Sequence, residues 1–335
     1  MGFQPNFLNK TLKELSYYST GGSCLGIVAP RSTEEVRDSL LWVKNQGKPF
    51  FVLGGGTNSL VSDEPYDGYV ISFHEMTNIT VSRENLLCLA GADNTDICRT
   101  AYDNGLGDIS WMNRLPGQIG GTARMNARCY GGEISAVASK VKVVTKEGEI
   151  KTYTDMKAVF FGYKDTVFMD NGDVICEVEL SLQKKSEDEL TKIKEKMDFC
   201  ESDRTGKGQF LYPTCGCVFK NNYDKRVSVS SGFLLEKAGV KNKSYGGAEV
   251  SSGHANFVYN KSAASSDIIN LSLEMRELVY NKFGVWLEYE MEILGNLPDD
   301  LNLEVIKEKD FSNDSNKNEM LSKVRKEFQE KMGKK

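Results

Sequence analysis

The segment Tyr212–Asn221, with the sequence Y-P-T-C-G-C-V-F-K-N, contains residues suited to proton transfer. It places the thiol of Cys217 directly after a glycine and before an apolar run typical of a strand, with Lys220 and Asn221 close behind. A thiol has a pKa of about 8.5, so at neutral pH it is mostly protonated and is a stronger acid than an alcohol. Held in this way, Cys217 could donate a proton to a substrate. A turn that leads into a buried strand with ordinary core cysteines explains the same residues, and the segment alone leaves both interpretations open.

Two glycine-rich loops have the composition of an anion-binding site. The first contains three consecutive glycines, which let backbone N–H groups converge on an anion, and its Thr57 and Asn58 add side-chain donors. Neither loop has the signature of a P-loop or a G-x-G-x-x-G fingerprint in its strand-to-helix context. Together the loops favour one extended cofactor with a pyrophosphate, and a tight turn stays open as the alternative. The candidate ligand-binding residues are Gly54, Gly55, Gly56, Thr57, Asn58, Ser59, Pro116, Gly117, Gly120 and Gly121.

The elements that must hold these residues alternate between helices and strands. The run Ser32–Glu35 predicts a capping box that begins a helix ending at Gly47. The apolar run 50–53 predicts a buried strand, so helix, strand and glycine loop form an α/β unit. A mixed α+β or α/β fold is therefore expected. Further strands are predicted around 141–145, 151–154 and 173–182, and further helices over 184–204 and from Ser265 or Ser266 to Gly284.

Composition excludes several classes of function. The chain has 335 residues, a net charge of −5, eight cysteines and two histidines. Clustered basic residues are missing, which argues against nucleic acid as a partner, and no apolar run reaches the roughly 18–20 residues of a membrane span. The spacing of the cysteines and the scarcity of histidine complete no zinc site, so we expect no metal. Free thiols in a reducing cytoplasm are the better interpretation. No segment identifies a protein partner.

Six segments follow one another along the chain: LGGGTNSLVSD at 53–63, LPGQIGGTARMNARCYGGEI at 115–134, FGYKDTVF at 161–168, YPTCGCVFKN at 212–221, YGGAEVSSGHANFVYN at 245–260 and FGVWLEYEMEILG at 283–295. In this order, they resemble the UDP-N-acetylenolpyruvoylglucosamine reductase (MurB) family of flavoenzymes. The resemblance covers roughly residues 15–295. The short interval between 168 and 212 is similar to the second type of the family, which lacks an extra substrate-covering loop.

The resemblance implies a fold and a reaction. An FAD-binding fold of two subdomains at 1–72 and 73–190, like that of vanillyl-alcohol oxidase, would precede a MurB-type substrate-binding domain at 191–295 and a polar tail at 296–335. The pyrophosphate of FAD would lie against the two glycine-rich loops. NADPH would reduce the flavin, and the enolpyruvyl ether of UDP-N-acetylglucosamine would then receive a hydride and a proton. The product would be UDP-N-acetylmuramate, which is used in peptidoglycan synthesis.

The resemblance also implies roles for individual residues. Cys217 occupies the position of the proton donor of the family, which is usually serine. Glu290 matches the carboxyl group that helps to stabilise the enolate intermediate, and Lys164 falls where the family has an arginine with the same purpose. Tyr163 and Asn221 match substrate-contacting positions.

The chain departs from the family pattern in ways that bear on activity. Arginine can hold a carboxylate through two parallel N–H bonds, whereas lysine offers a point charge. Compared with the arginine of the family, Lys164 therefore retains the positive charge but lacks the paired donors. Glu292 stands where relatives often have arginine, and Arg128 replaces a small residue. Two alternatives therefore stay open. One is an FAD-linked oxidoreductase acting on another small substrate, and the other is a catalytically impaired flavin-binding relative.

Overall fold

The chain folds into two units whose segments alternate along the sequence. Unit 1 comprises Met1–Lys10, Cys24–Gly55 and Tyr66–Arg204, and unit 2 comprises Thr11–Ser23, Gly56–Pro65 and Thr205–Lys335. The structure, a computed structural model, describes residues 3–221, 227–297, 312 and 314–333. The predicted subdomain boundaries at 72, 190 and 295 stay a prediction.

The described residues form α-helices and short 3₁₀ turns, and the 3₁₀ turns lie at Ser110–Met112, Ile134–Ala136 and Met156–Ala158. The helices are α1 (Leu12–Leu15), α2 (Thr33–Asn45), α3 (Asn94–Asp103), α4 (Ile119–Arg124), α5 (Val167–Asp170), α6 (Glu187–Gly206), α7 (Ser231–Ala238), α8 (Ser265–Phe283) and α9 (Ser315–Met332).

The strands are short, and several contain only two residues. They are β1 (Cys24–Val28), β2 (Phe50–Leu53), β3 (Ser59–Val61), β4 (Tyr66–Ser72), β5 (Ile79–Ser82), β6 (Asn85–Leu89), β7 (Leu106–Gly107), β8 (Arg128–Cys129), β9 (Gly132–Glu133), β10 (Ala138–Val144), β11 (Ile150–Tyr153), β12 (Phe160–Gly162), β13 (Asp165–Thr166), β14 (Val174–Ser181), β15 (Gln183–Lys184), β16 (Ser244–Tyr245), β17 (Ala248–Val250), β18 (Val258–Asn260) and β19 (Glu292–Leu294).

Unit 1 contains a parallel sheet in the order β1-β4-β2 and an antiparallel sheet in the order β11-β10-β14-β6-β5. Helix α2 packs on both, because Val36 and Leu40 share one apolar cluster with Ile71 of β4 and Cys176 of β14. Burial of side chains of this size stabilises the unit by about 1.5–3 kcal/mol each. The predicted helix and the predicted strand at 50–53 are confirmed as α2 and β2. The strand was expected to be buried, but only Leu53 is, because β2 is the edge strand of its sheet.

Two helix caps differ in detail from the sequence patterns that predicted them. The hydroxyl of Ser32 accepts from Glu35 N–H at 3.1 Å, but the Glu35 carboxylate accepts from Arg31 N–H at 2.9 Å and so closes no reciprocal box. The predicted serine cap of α8 is wrong, since Ala264 is its N-cap. Ser265 already belongs to the helix, and its hydroxyl accepts from Asp63 N–H at 2.9 Å.

The core of unit 2 forms around α8. Ile268, Leu271 and Met275 of α8 are buried with Val218 and Phe219, the residues that follow the candidate thiol. A parallel pair, β3 with β19, and the antiparallel sheet β16-β17-β18 also lie in this unit. The core of unit 2 therefore fixes the backbone directly behind Cys217.

Helix α9 lies within the predicted polar tail at 296–335 and packs on unit 2. Leu321 and Val324 are buried in its apolar core, and the ring centroids of Phe328 and Phe233 of α7 are 5.3 Å apart. The rest of the predicted tail at 298–311, 313 and 334–335 lies outside the described residues.

Candidate active site

The candidate proton donor lies on a short extended segment that is hydrogen-bonded on two sides. Gly216 has φ +75° and makes the turn before Cys217, which pairs in an antiparallel bridge with Phe257. The next residue, Val218, donates its N–H to Asn256 O at 2.9 Å. The Cys217 side chain is half-buried. The glycine turn therefore leads the thiol into a fixed backbone position, as the sequence pattern predicts.

Glu290 lies beside this segment, at an irregular point in the pairing. The N–H groups of Glu290 and Met291 both donate to Val218 O, at 2.8 and 3.2 Å, so two residues oppose one. Such a bulge bends a strand and re-aims a side chain, and bulges are frequent next to active sites. Glu288 is exposed whereas Glu290 and Glu292 are half-buried, so the alternating glutamates are not one solvent face.

The Asn58 side chain, predicted to hold a cofactor, supports Glu290. Its Nδ2 donates to Glu290 O at 2.7 Å, and Asn58 O accepts from Glu292 N–H at 2.9 Å. The pairing continues into β3 and β19, where Ser59 lies opposite Glu292. Asn58 thus holds the backbone of Glu290 in position, a contact that the glycine-rich sequence around Asn58 did not predict.

Cys215, the other thiol of the Cys-x-Cys pair, has a structural role. Cys215 is 4% exposed, and burial raises its pKa to about 12, with a further contribution from the nearby Glu290 carboxylate. A hydrogen bond with the Tyr18 side chain acts in the opposite direction. At neutral pH, Cys215 is therefore a protonated core residue, and the more accessible Cys217 is the thiol placed for chemistry.

Asn221 lies at the end of the segment and is held by helix α7. Its Oδ1 accepts from Ser231 N–H at 3.1 Å, and the hydroxyl of Ser231 donates to Lys220 O. Asn256 holds the middle of the segment, since its Oδ1 accepts from Phe219 N–H at 3.0 Å and its Nδ2 donates to Phe219 O at 2.8 Å. Sequence reasoning missed the role of Asn256, because nothing in a single Asn marks a partner 37 residues away.

Tyr163 and Lys164 lie in unit 1, on the tight turn between β12 and β13. Lys164 has φ +54°, a left-handed conformation that is uncommon for a residue other than glycine and often occurs at functional sites. Its Nζ lies 6.0 Å from the centroid of the Tyr163 ring. The Arg128 guanidinium carbon lies 4.9 Å from the same centroid. The structure thus brings the predicted Tyr163 and Lys164 together with a second cation.

In unit 1, the glycine-rich region at 116–121 leaves an unsatisfied acceptor. Gln118 Oε1 is buried and has no hydrogen-bond partner among the described residues, and a Cβ added to Gly54 would lie only 3.3 Å from it. Gly120 has another reason to be glycine, because its N–H donates to Ala90 O at 2.9 Å and a Cβ there would lie 3.0 Å from the Ala90 Cβ. Within the part of the chain that the structure describes, no heavy atom lies within 4 Å of an added Cβ on Gly121.

These residues fit a flavin nucleotide. A buried acceptor without a donor costs about 1–3 kcal/mol, and a ligand with hydroxyl or N–H donors would remove that cost. The open space around Gly121 leaves room for a close approach of the ligand to the backbone. Pro116, Gly117 and Gln118 lead into α4 on the same side, with Gly117 at φ +124°. Gly54, Gly55 and the 116–121 segment therefore stay the predicted FAD-binding residues of unit 1.

In unit 2, the remainder of the first loop, residues 56–59, is tightly packed. Gly56 has φ +64° and is buried, and a Cβ there would lie 2.9 Å from the Tyr17 nitrogen. Thr57 is half-buried like Asn58 and Ser59. Glycine at position 56 is therefore explained by packing, whatever ligand contacts Thr57 to Ser59.

Metal and membrane chemistry are not indicated by the part of the chain that the structure describes. Within it, no group of three or more His, Cys, Asp and Glu side chains is arranged to hold a metal ion. None of its helices combines the length and the apolar character needed to cross a membrane. All eight cysteines are free thiols.

Two models of known protein families match separate parts of the chain. The FAD binding domain model matches residues 24–154, and the model of the UDP-N-acetylenolpyruvoylglucosamine reductase C-terminal domain matches residues 208–294. These matches confirm the predicted fold class, an FAD-binding fold followed by a MurB-type substrate domain.

Individual relatives agree with the family models. UDP-N-acetylenolpyruvoylglucosamine reductase 2 of Bacillus cereus is 34% identical over 291 residues, which cover 86% of this chain and 92% of the relative. The reductase of Latilactobacillus sakei is 33% identical over 288 residues, with the same coverage. The crystal structure of UDP-N-acetylenolpyruvylglucosamine reductase (MurB) from Thermus caldophilus superposes with a TM-score of 0.71 at 26% identity. That match covers 87% of this chain and 99% of the other.

Proposed function

Because the chain belongs to the UDP-N-acetylenolpyruvoylglucosamine reductase family, we propose that it performs the family reaction with Cys217 as the proton donor. The reaction reduces the enolpyruvyl group of UDP-N-acetylglucosamine enolpyruvate to give UDP-N-acetylmuramate for peptidoglycan synthesis. Bound FAD would supply the hydride chemistry, with NADPH as the reductant and the terminal methylene of the substrate as the acceptor. The other parts of the reaction fall to the side chains of the protein.

One observation carries the assignment of Cys217. The N–H of Glu290 donates to Val218 O at 2.8 Å, so the thiol of Cys217 and the Glu290 carboxylate lie on adjacent, hydrogen-bonded segments. Hydride addition to the methylene leaves negative charge on the neighbouring carbon and its carboxylate, and that carbon must gain a proton. A thiol is acidic enough to donate it, and a positioned general acid contributes about 10²–10⁴-fold to the rate.

Glu290 and Lys164 are proposed to stabilise the enolate-like intermediate, and Tyr163 and Asn221 to contact the substrate. The bulge at Val218 and the Asn58 amide fix the Glu290 backbone, which keeps its carboxyl group in one place. Lys164 supplies positive charge from a strained turn. Preorganised groups of this kind lower the barrier because they need no rearrangement as charge develops.

We place the enzyme in the cytoplasm and propose small molecules, with no nucleic acid, as its ligands. Its eight free thiols are consistent with a reducing compartment, and its net charge of −5 gives no basic footprint for nucleic acid.

A pair of half-reactions tests the proposal. Purified enzyme should show the flavin spectrum, and NADPH should bleach it. UDP-N-acetylglucosamine enolpyruvate should then restore it without oxygen. Cys217→Ala should keep bleaching by NADPH and lose about 10²-fold or more in the second step, whereas Cys217→Ser should keep most of it.

The matched control is Cys24→Ala, which removes a partly exposed thiol of unit 1. It should leave both steps unchanged. Full reoxidation by Cys217→Ala would overturn the assignment of the thiol, and a wild-type enzyme that bleaches but never responds to the substrate would overturn the proposed function.

A further inference from the structure

Two cations lie near the ring of Tyr163, on the turn that also carries Lys164. The Arg128 guanidinium carbon is 4.9 Å and the Lys164 Nζ is 6.0 Å from the centroid of the Tyr163 ring. Both distances fall within the range in which a cation and an aromatic face attract each other. Arg128 is far from Lys164 in sequence, so the fold brings this second positive charge to the turn.

The guanidinium of Arg128 is held by a hairpin. Strands β8 and β9 pair Arg128 directly opposite Glu133, and Arg128 Nη1 lies 3.5 Å from Glu133 Oε2. The hairpin turns through Tyr130 and Gly131, which both have positive φ, a pattern typical of a tight two-residue loop. Cross-strand partners of opposite charge stabilise one another, so the side chain has a preferred direction.

The same hairpin is tied to the turn that bears Lys164. Asn126 Nδ2 donates to Glu133 Oε1 at 2.6 Å and to Gly162 O at 2.8 Å. Gly162 directly precedes Tyr163, so hydrogen bonds and ring contacts connect Arg128, Glu133, Asn126 and the turn in a closed circuit. Arg128 is thus linked by these contacts to the turn that carries Tyr163 and Lys164, although 37% of its side chain is exposed.

From this circuit we propose that Arg128 acts with Lys164 in binding the carboxylate of the enolpyruvyl substrate. Lysine at position 164 offers a point charge, whereas a guanidinium has five donors in a planar fork and can hold Glu133 and a ligand carboxylate together. The ring of Tyr163 orients both cations. A single arginine would combine the positive charge with the fork of N–H donors. In this chain, Lys164 supplies a point charge and Arg128 supplies the fork. The inference rests on the proposed function, since it takes its ligand from that reaction.

The test compares substrate binding with flavin reduction in the full-length, FAD-loaded enzyme. Arg128→Met keeps the aliphatic stem and removes the charge. It should raise the KM for UDP-N-acetylglucosamine enolpyruvate by about tenfold or more, the range of one charge-assisted hydrogen bond, and leave the rate of flavin bleaching by NADPH unchanged. Arg31→Met is the matched control, because Arg31 is an exposed cation of unit 1 paired with Glu75. It should change neither value.

A rescue experiment separates substrate binding from a merely structural role. In the Arg128→Met background, Lys164→Arg restores a fork at the neighbouring position and should recover most of the lost KM. A structural defect at the β8–β9 hairpin would not be repaired by that change, and failure to rescue would overturn the inference.

The experiments distinguish a wrong role for Arg128 from a wrong proposed function. An unchanged KM in Arg128→Met, with normal turnover by the wild type, refutes only the role of Arg128. Absence of substrate-dependent turnover in the wild type refutes the proposed function itself.

Discussion

The side-chain amide of Asn58 donates to the backbone carbonyl of Glu290 at 2.7 Å, across 232 residues of sequence. The backbone carbonyl of Asn58 accepts from Glu292 N–H at 2.9 Å, so Asn58 holds the chain on both sides of the catalytic candidate. The glycine-rich loop therefore has two functions. In unit 1, Gly54 lies beside Gln118 of the segment proposed to bind FAD, and in unit 2 Asn58 positions the backbone of Glu290.

Asn58→Ala should impair the reduction of the substrate more than the reduction of the flavin. Loss of the amide leaves Glu290 O without this donor, which costs about 1–2 kcal/mol of unfolding free energy. It also loosens the bulge that aims the carboxyl group. We expect kcat for substrate reduction to fall about tenfold, measured by stopped-flow reoxidation with the enolpyruvyl substrate.

Asn6→Ala is the control for this variant. Asn6 Nδ2 makes an equivalent bond, to Ala29 O at 2.9 Å, in unit 1, and neither residue is a candidate site residue. It should lose similar stability and no activity. Equal kinetic losses in both variants would show that Asn58 acts only through general stability.

Gln118→Met should raise the stability of the protein without FAD and lower its affinity for FAD. Among the described residues the buried Gln118 Oε1 has no hydrogen-bond partner, so without FAD an apolar side chain of similar length should stabilise the protein by about 1 kcal/mol. The same change removes an acceptor from the flavin site and should weaken FAD binding about tenfold. Thermal unfolding of the flavin-free protein and fluorescence titration with FAD measure the two effects.

Gln183→Met is the control, because Gln183 is exposed on β15. Its flavin affinity and melting temperature should stay close to those of the wild type. Tighter or unchanged FAD binding by Gln118→Met would contradict the assignment of the 116–121 segment.

Local patterns in the sequence predicted much of the fold because their causes are local. The helix ending at Gly47, the strand at 50–53 and the glycine turn before Cys217 follow from φ preferences and apolar periodicity, and the structure has all three. The cap of α8 failed because the Ser265 hydroxyl contacts Asp63, a residue distant in sequence, and a short pattern cannot show that.

The support of the candidate site could not be predicted because it depends on contacts between distant segments. The bulge at Val218 and the Asn256 clamp on Phe219 involve single residues without a motif. The resemblance named Glu290 but not the contacts that support it. Only the fold shows that its backbone is held from two sides.

Alkaline pH should destabilise the protein through its buried thiols. Burial raises the pKa of Cys88, which is fully buried on β6, from 9.0 to about 12. The folded state therefore holds this proton more tightly than the unfolded state. The resulting stabilisation is complete below pH 9 and is lost as pH rises toward 12. Between pH 8 and 10, Cys88 alone should cost about 1.4 kcal/mol.

Urea unfolding at pH 8 and 10 measures this effect. Cys88→Ala should lose less stability between the two pH values than the wild type does, by about 1 kcal/mol. Val178→Ala is the matched control, because Val178 is fully buried and pairs with Cys88 but does not titrate. It should keep the pH dependence of the wild type. An identical pH dependence in all three proteins would exclude Cys88 as a contributor.

Helix α9 should stabilise unit 2, although it lies beyond residue 294, where the family model ends. Leu321 is 6% exposed in the core, and Arg325 Nε donates to Val227 O at 3.3 Å. Leu321→Ala leaves a cavity and should lower the free energy of unfolding by about 2–3 kcal/mol. Met320→Ala on the same helix changes a side chain that is 39% exposed and should stay within about 0.5 kcal/mol of the wild type. Urea unfolding followed by circular dichroism compares the two, and equal midpoints would show that α9 does not dock on unit 2 in solution.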